Sequence, residues 1–138
     1  MASPRFRETG RFVRRTAPTK IYTPANLADL MRCLDPANNA PVPIRIRGAG
    51  TAATDCNANS AGTIVDMTGL DRIVHIDAYK HTVKVEAGVR LGAMVGALAE
   101  QWLELIGNHD QMERTGGGAI ASPCIGDCLS LIHIYEPT

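Results

Sequence analysis

Two glycine-rich segments hold the residues of this sequence best suited to chemistry. The first, Gly48-Ala49-Gly50-Thr51-Ala52-Ala53, follows directly on the alternating run Val42-Pro43-Ile44-Arg45-Ile46-Arg47. Glycine allows positive φ and close backbone approach, so successive N–H groups can converge on an anion. A diphosphate is the natural guest. No large side chain blocks the approach, and the Thr51 and Thr54 hydroxyls add donors. The second segment is Thr115-Gly116-Gly117-Gly118-Ala119-Ile120. Three consecutive glycines weaken any regular element and suit backbone that passes close to something large or flat. Thr115 offers a hydroxyl on the entry side. The plain alternatives are a tight turn at the first segment and a linker at the second.

The first segment also fits G-x-G-x-x-A, the fingerprint of a Rossmann-type dinucleotide-binding domain. That motif needs a helix that begins inside the loop and aims its N-terminus at the pyrophosphate. Here Asp55-Cys56-Asn57-Ala58-Asn59-Ser60 follow, a poor helix, and the next elements read as strands. A helix starting near Thr51 would favour the Rossmann reading. Glycine loops on separate faces would favour a small binding module with no cofactor.

Other reactive side chains are scattered. Cys33 and Cys56 stand alone, and Cys124 and Cys128 are four apart. Together with His109 or His133 they match no zinc-ligand spacing, so no metal site is expected. The cysteines read as reduced thiols of a cytoplasmic protein. His75, His81 and His109 have no motif around them and read as surface residues.

The elements that must position the glycines follow from periodicity. A helix is predicted over Tyr22–Leu34, with Thr23 as N-cap, Pro24 at the first helical position, and Leu27, Leu30, Met31 and Leu34 on one face. Pro36 and Asn38-Asn39 end it. Strands are predicted at Val42–Arg47, with Val42, Ile44 and Ile46 opposite Pro43, Arg45 and Arg47, and at Thr63–Met67, with a turn at Thr68-Gly69-Leu70. Arg72–Asp77 and Thr82–Glu86 form a hairpin, Ile73 and His75 facing away from Val74 and Ile76. A second helix, Leu91–Trp102, sets Leu91, Met94, Val95, Leu98 and Trp102 on one stripe. The order is α+β, without regular βαβ alternation.

The bulk numbers bound the remaining classes. The chain has 138 residues, 45% hydrophobic and 20% charged, with a formal net charge of zero, enough for one modest domain and no argument for a nucleic-acid partner. Residues 1–20 are a basic arm, six Lys/Arg against Glu8, or +5. Such an arm reads as a solvated terminus; its composition also fits an organelle transit segment. No stretch has the length of a membrane span.

The ordered set of motifs resembles the vanillyl-alcohol oxidase / p-cresol methylhydroxylase (PCMH-type) superfamily of FAD-linked oxidases. Pro43–Thr51 looks like its diphosphate loop. Ile64-Val65-Asp66-Met67 through Leu70-Asp71-Arg72-Ile73 is similar to its ID-x-x-x-L-x-x-I stretch. Val83–Val89 resembles the strand and turn before its next helix, and Thr115–Ile120 its T-x-G-G-x-I segment. The resemblance implies an α+β fold, the first subdomain of a PCMH-type FAD-binding domain with a small mixed sheet flanked by helices. It implies FAD as cofactor, with Arg47, Gly48, Ala49, Gly50, Thr51, Ala52 and Ala53 at the diphosphate. Thr115, Gly117, Gly118, Ala121, Ser122 and Gly126 would line the ribityl and flavin side. Many members carry a histidine just after G-x-G that bonds the flavin covalently; Thr51 stands there, so the FAD is expected to be non-covalent. Ile125 stands where many relatives have a histidine.

The resemblance covers residues 21–127 as a partial domain. From Cys128 to Thr138 the text resembles a translated sequencing-adapter tail and is read as non-native. The expected parent is an oxidoreductase of a small hydroxy acid, alcohol or lactone, with a missing C-terminal domain for the small-molecule substrate. Catalytic residues are expected in that missing part. The isolated chain is expected to be poorly soluble and to bind FAD weakly or not at all.

Overall fold

The computed structural model describes residues 18–35, 42–52, 56, 59, 61–107 and 111–122. The chain divides into two units, Met1–Gly69 and Leu70–Thr138.

The first unit is built on β3 (Thr63–Asp66), whose Thr63, Ile64 and Val65 are almost wholly buried. A continuous β-branched run without alternation is what a strand covered on both faces requires. β1 (Lys20–Tyr22) and β2 (Ile44–Arg47) flank it in parallel, giving the order β1-β3-β2. Val65 pairs with Tyr22 on one side and Ile46 on the other, and Asp66 pairs with Arg47. The start of the sheet is tied by Asn59, which is buried and donates through Nδ2 to the carbonyls of Pro43 and Thr63, each at 2.8 Å. A single 3₁₀ turn, Met67–Gly69, follows β3.

Helix α1 (Leu27–Leu34) starts later than its periodicity predicts. Tyr22 is drawn into β1, Pro24 is buried, and Asn26 rather than Thr23 is the cap, its Oδ1 accepting from the Asp29 N–H at 2.9 Å. The Asn26 side chain donates through Nδ2 to Asp29 Oδ2 at 2.9 Å, and the Ala25 N–H donates to the same oxygen at 3.3 Å. The predicted apolar stripe also faces the wrong way: Leu27 and Met31 are each 67% exposed, and the buried residue is Cys33. β2 departs similarly at its end, where Ile46 is exposed and Arg47 is buried. The residues proposed to end α1, Pro36 and Asn38-Asn39, lie outside the described residues.

The second unit opens with the hairpin of β4 (Ile73–Asp77) and β5 (Thr82–Val85). A bulge between Ile73 and His75 resets the alternation, so Ile73 faces Val85 and Ile76 faces Val83 while Val74 and His75 are exposed. Ile73 and His75 therefore do not share a face. His81, also exposed, closes the turn at φ 51°. At the open end Arg72 and Glu86 are joined by Nη2–Oε1 at 2.6 Å, Nε–Oε1 at 3.1 Å, and the Arg72 N–H to Oε2 at 3.0 Å. The core is Val89 with Leu91 and Met94 of α2 (Leu91–Ala99), against which Ile73, Val85, Leu105 and Ala119 pack. The sheet content is thus a parallel trio and an antiparallel pair, within the α+β class expected.

Helix α2 stops at Ala99, three residues short of the predicted end. The Leu103 N–H reaches the Leu98 carbonyl at 3.0 Å and the Trp102 N–H reaches Ala99 at 3.1 Å, a Schellman stop with Trp102 in the left-handed position at φ 58°. Trp102 is 97% exposed and leaves the stripe altogether.

Two outcomes follow. Trp102→Gly removes a left-handed strain at the loss of almost no buried surface, and should raise stability by about 1 kcal/mol in urea unfolding. The Arg72 hydrogen bonds, first the side-chain ones and then that of its backbone N–H, hold the Glu86 carboxyl below the usual glutamate range. The stability it contributes is present above that usual range and is lost as pH falls through the lowered value. Thermal melts from pH 7 downward should lose stability less steeply in Glu86→Gln than in the parent chain.

Candidate functional site

In the first unit the glycine loop leaves the carboxyl end of a parallel sheet, the edge at which open α/β sheets take up ligands. Gly48, Ala49, Thr51 and Ala52 are half-buried, and Gly50 is buried at φ 74°, a conformation that favours glycine. Beneath Gly50 lies the guanidinium of Arg47: a Cβ at position 50 would stand 2.3 Å from Arg47 Nη2. Arg47 Nη1 in turn meets Asp66 Oδ2 at 3.2 Å, with both side chains largely buried. Asp66 Oδ1 accepts from the Thr68 N–H at 3.0 Å and its hydroxyl at 2.6 Å.

Among the described residues, no protein group accepts from the N–H groups of Ala49, Thr51 and Ala52. Backbone donors left this way in a half-buried bend are what an anion-binding concavity presents. No α-helix begins at Thr51 or Ala52, and β3 inserts between β1 and β2, so the Rossmann arrangement is absent there. Ala53 lies outside the described residues.

The second glycine segment is not a loop. Gly116–Ala121 forms a short helix, α3, with Thr115 as N-cap; the Thr115 hydroxyl, expected as a donor, accepts from the Gly118 N–H at 3.2 Å. Thr115 is wholly buried. The Gly116 N–H donates to Val89 and the Gly117 N–H to Ala87, each at 2.8 Å, and the Ala119 N–H to Thr115 at 2.9 Å. The first-turn donors are thus satisfied within the protein. Glycine is needed here for packing: a Cβ on Gly117 would sit 3.0 Å from the Ala87 carbonyl oxygen. Arg114 Nη2 binds the carbonyls of Gly118 at 3.2 Å and Ser122 at 3.0 Å. Ala121 and Ser122 are exposed, and Gly126 lies outside the described residues.

Sequence reasoning singled out Arg47 and passed over Asp66 and Thr68 as functional. The available signal was a carboxylate closing an otherwise apolar buried strand, Thr-Ile-Val-Asp. Elsewhere, Cys33 lines an open hollow of about 340 Å³ with Tyr22, Thr23, Pro24, Asp29 and Arg32. Burial pushes its thiol up, Asp29 adds to the shift, and Arg32 opposes it, so Cys33 is not an activated nucleophile. Neither Cys33 nor Cys56 is in a disulfide. Cys124, Cys128, His109 and His133 lie outside the described residues. No helix among the described residues is long and apolar enough to cross a membrane.

Residues 18–131 match the family described as FAD binding domain. The chain belongs to this family. It is 34% identical over 108 residues to L-gulono-1,4-lactone dehydrogenase of Mycobacterium tuberculosis, covering 77% of this chain and 25% of that protein. It is 32% identical over 116 residues to L-galactono-1,4-lactone dehydrogenase 1, mitochondrial, of Oryza sativa subsp. japonica, covering 84% and 20%. The chain therefore spans a quarter or less of these relatives' length. Among solved structures, alkyldihydroxyacetonephosphate synthase matches with a TM-score of 0.67 at 21% identity, over 77% of this chain and 22% of that one. The 6-hydroxy-D-nicotine oxidase of Arthrobacter nicotinovorans matches at 0.57 and 23%, over 66% and 19%. These two establish the fold of the FAD-binding domain, and the family makes FAD the cofactor. The Gly48–Ala52 bend fits that group: short side chains, a glycine at positive φ, three N–H groups without a protein acceptor, and a buried guanidinium behind them.

The division of labour between the two segments is testable. Gly117→Ala forces a Cβ against the Ala87 backbone and should lower stability by about 1–3 kcal/mol in urea unfolding. Gly96→Ala, in α2 with nothing within 4 Å of its Cβ position, should raise it by about 0.5–1 kcal/mol.

Proposed function

We propose that Gly48–Ala53 is the FAD diphosphate site of an oxidoreductase acting on a small sugar-lactone-type substrate. The observation that carries the site is the set of N–H groups at Ala49, Thr51 and Ala52 with no protein acceptor among the described residues, around a Gly50 at positive φ with Arg47 against it. The lactone class rests on the curated relatives, which are named lactone dehydrogenases. A small hydroxy acid or alcohol is the alternative substrate class. Bound FAD supplies the redox chemistry by taking up the hydride and passing the electrons to an acceptor.

This chain's own residues bind and orient. Gly48 and Ala49 bring backbone close to the phosphates, and the Thr51 hydroxyl adds a donor. On the flavin side the assigned set is Thr115, Gly117, Gly118, Ala121, Ser122 and Gly126. Within it, Thr115, Gly117 and Gly118 act by packing α3, and the exposed Ala121 and Ser122 are the groups open to contact. The substrate is held by a further domain. Thr51 gives no imidazole for a covalent link, so the FAD dissociates. Cys33 and Cys56, neither of them in a disulfide, fit a reducing, cytoplasmic setting.

An amide-resolved titration of the chain with FAD tests this. The Ala49, Thr51 and Ala52 resonances should move together and saturate, with the Gly116, Gly117 and Gly118 resonances moving less. Acid precipitation of the complex should leave all the flavin in the supernatant. Resonances of Gly116, Gly117 and Gly118 that respond to FAD while those of Ala49, Thr51 and Ala52 do not would refute the site, and flavin that stays on the precipitated protein would refute non-covalent binding.

A further inference from the structure

Among the described residues the Arg47 guanidinium lies against Gly50, and its place there is fixed by Asp66, the aspartate of the ID-x-x-x-L-x-x-I stretch, to which the motif itself gives no such part. The guanidinium is held between Gly50 above and Asp66 on the neighbouring strand, where Nη1–Oδ2 is 3.2 Å and the two side chains are only 9% and 14% exposed. Asp66 is itself held by two hydrogen bonds from Thr68, so the line Thr68–Asp66–Arg47–Gly50 runs from the 3₁₀ turn after β3 to the bend after β2. A buried ion pair gives uncertain net stability, because desolvation offsets the attraction, and an apolar pair of similar volume often serves as well. Stability alone therefore does not explain a cation at this point. A cation one residue-thickness behind a set of outward N–H groups does have an electrostatic use: in a partly desolvated setting it adds to their field on an anion.

We infer that Arg47, aligned by Asp66, is a positioning residue for the diphosphate. It does not touch the ligand; it fixes the Gly50 bend so that the Ala49, Thr51 and Ala52 N–H groups point outward, and it adds positive potential behind them. Asp66 sets where that charge sits. This inference rests on the diphosphate reading of the loop.

The test uses the full 138-residue chain, with ADP as the diphosphate probe and adenosine as a control lacking phosphate. The double variant Arg47→Met with Asp66→Asn removes both charges and strands neither, so the fold is kept. Amide exchange protection of Ile64 and Val65 checks that the sheet is intact. The expected result is an intact sheet and ADP binding weakened by about tenfold or more. Arg47→Lys with Asp66 kept retains the charge but loses the planar fork, and should recover part of the affinity that the double variant loses. A double variant with an intact sheet that binds ADP with the parent's affinity overturns the inference alone. A parent chain whose loop amides respond no more to ADP than to adenosine overturns the diphosphate reading, and this inference with it.

Discussion

A guanidinium that is nine-tenths buried has to be compensated, and the rest of the first unit is arranged around that requirement. Water is largely excluded from Arg47, so its charge must be met by protein groups. Asp66 meets it because parallel pairing of β2 with β3 sets the two residues side by side at the carboxyl edge of the sheet. That pairing in turn depends on β3 being buried, and on Asn59 clamping the strand starts. With Arg47 in place, a Cβ at position 50 would have to push the guanidinium aside, and the φ of 74° there favours glycine in any case. The loop inherits its shape from a chain of contacts that begins in the core.

The two glycine segments, similar as text, serve opposite ends. Among the described residues, the N–H groups of Ala49, Thr51 and Ala52 beside Gly50 meet no protein acceptor, the condition for holding an anion. Around Gly116–Gly118 every first-turn N–H is consumed by Val89, Ala87 or Thr115, and the missing side chains allow backbone to meet backbone. Glycine composition says that a close approach will occur. It does not say whether the approaching body is a ligand or the protein itself.

That distinction marks what was legible in the sequence. The buried β3, the hairpin, the core side of α2 and the bend at Gly48–Thr51 were all readable, because each is set by a local pattern that tertiary contacts reinforce. What failed was set by non-local contacts. β1 was hidden because Tyr22 is extended only by pairing with Val65. The outward stripe of α1 was misassigned because periodicity reports a face and not what covers it. Arg47 looked like the polar side of β2, and became an interior residue only once Asp66 stood beside it. The bulge between Ile73 and His75 shifted a strand face by a single residue, below what alternation can resolve, and the left-handed Trp102 took that side chain off the α2 stripe. The resemblance named the diphosphate loop but gave Asp66 no part in it.

The central claim is that particular backbone N–H groups of the first loop, and not those of the second, hold the diphosphate. Scalar couplings transmitted through hydrogen bonds, measured between phosphorus and amide nitrogen in a labelled chain saturated with ADP, test this directly. The account predicts couplings to amides within Ala49–Ala52 and none to Gly116, Gly117 or Gly118. Couplings to the glycines of α3, or a bound diphosphate coupled to no amide of the first loop, would contradict it.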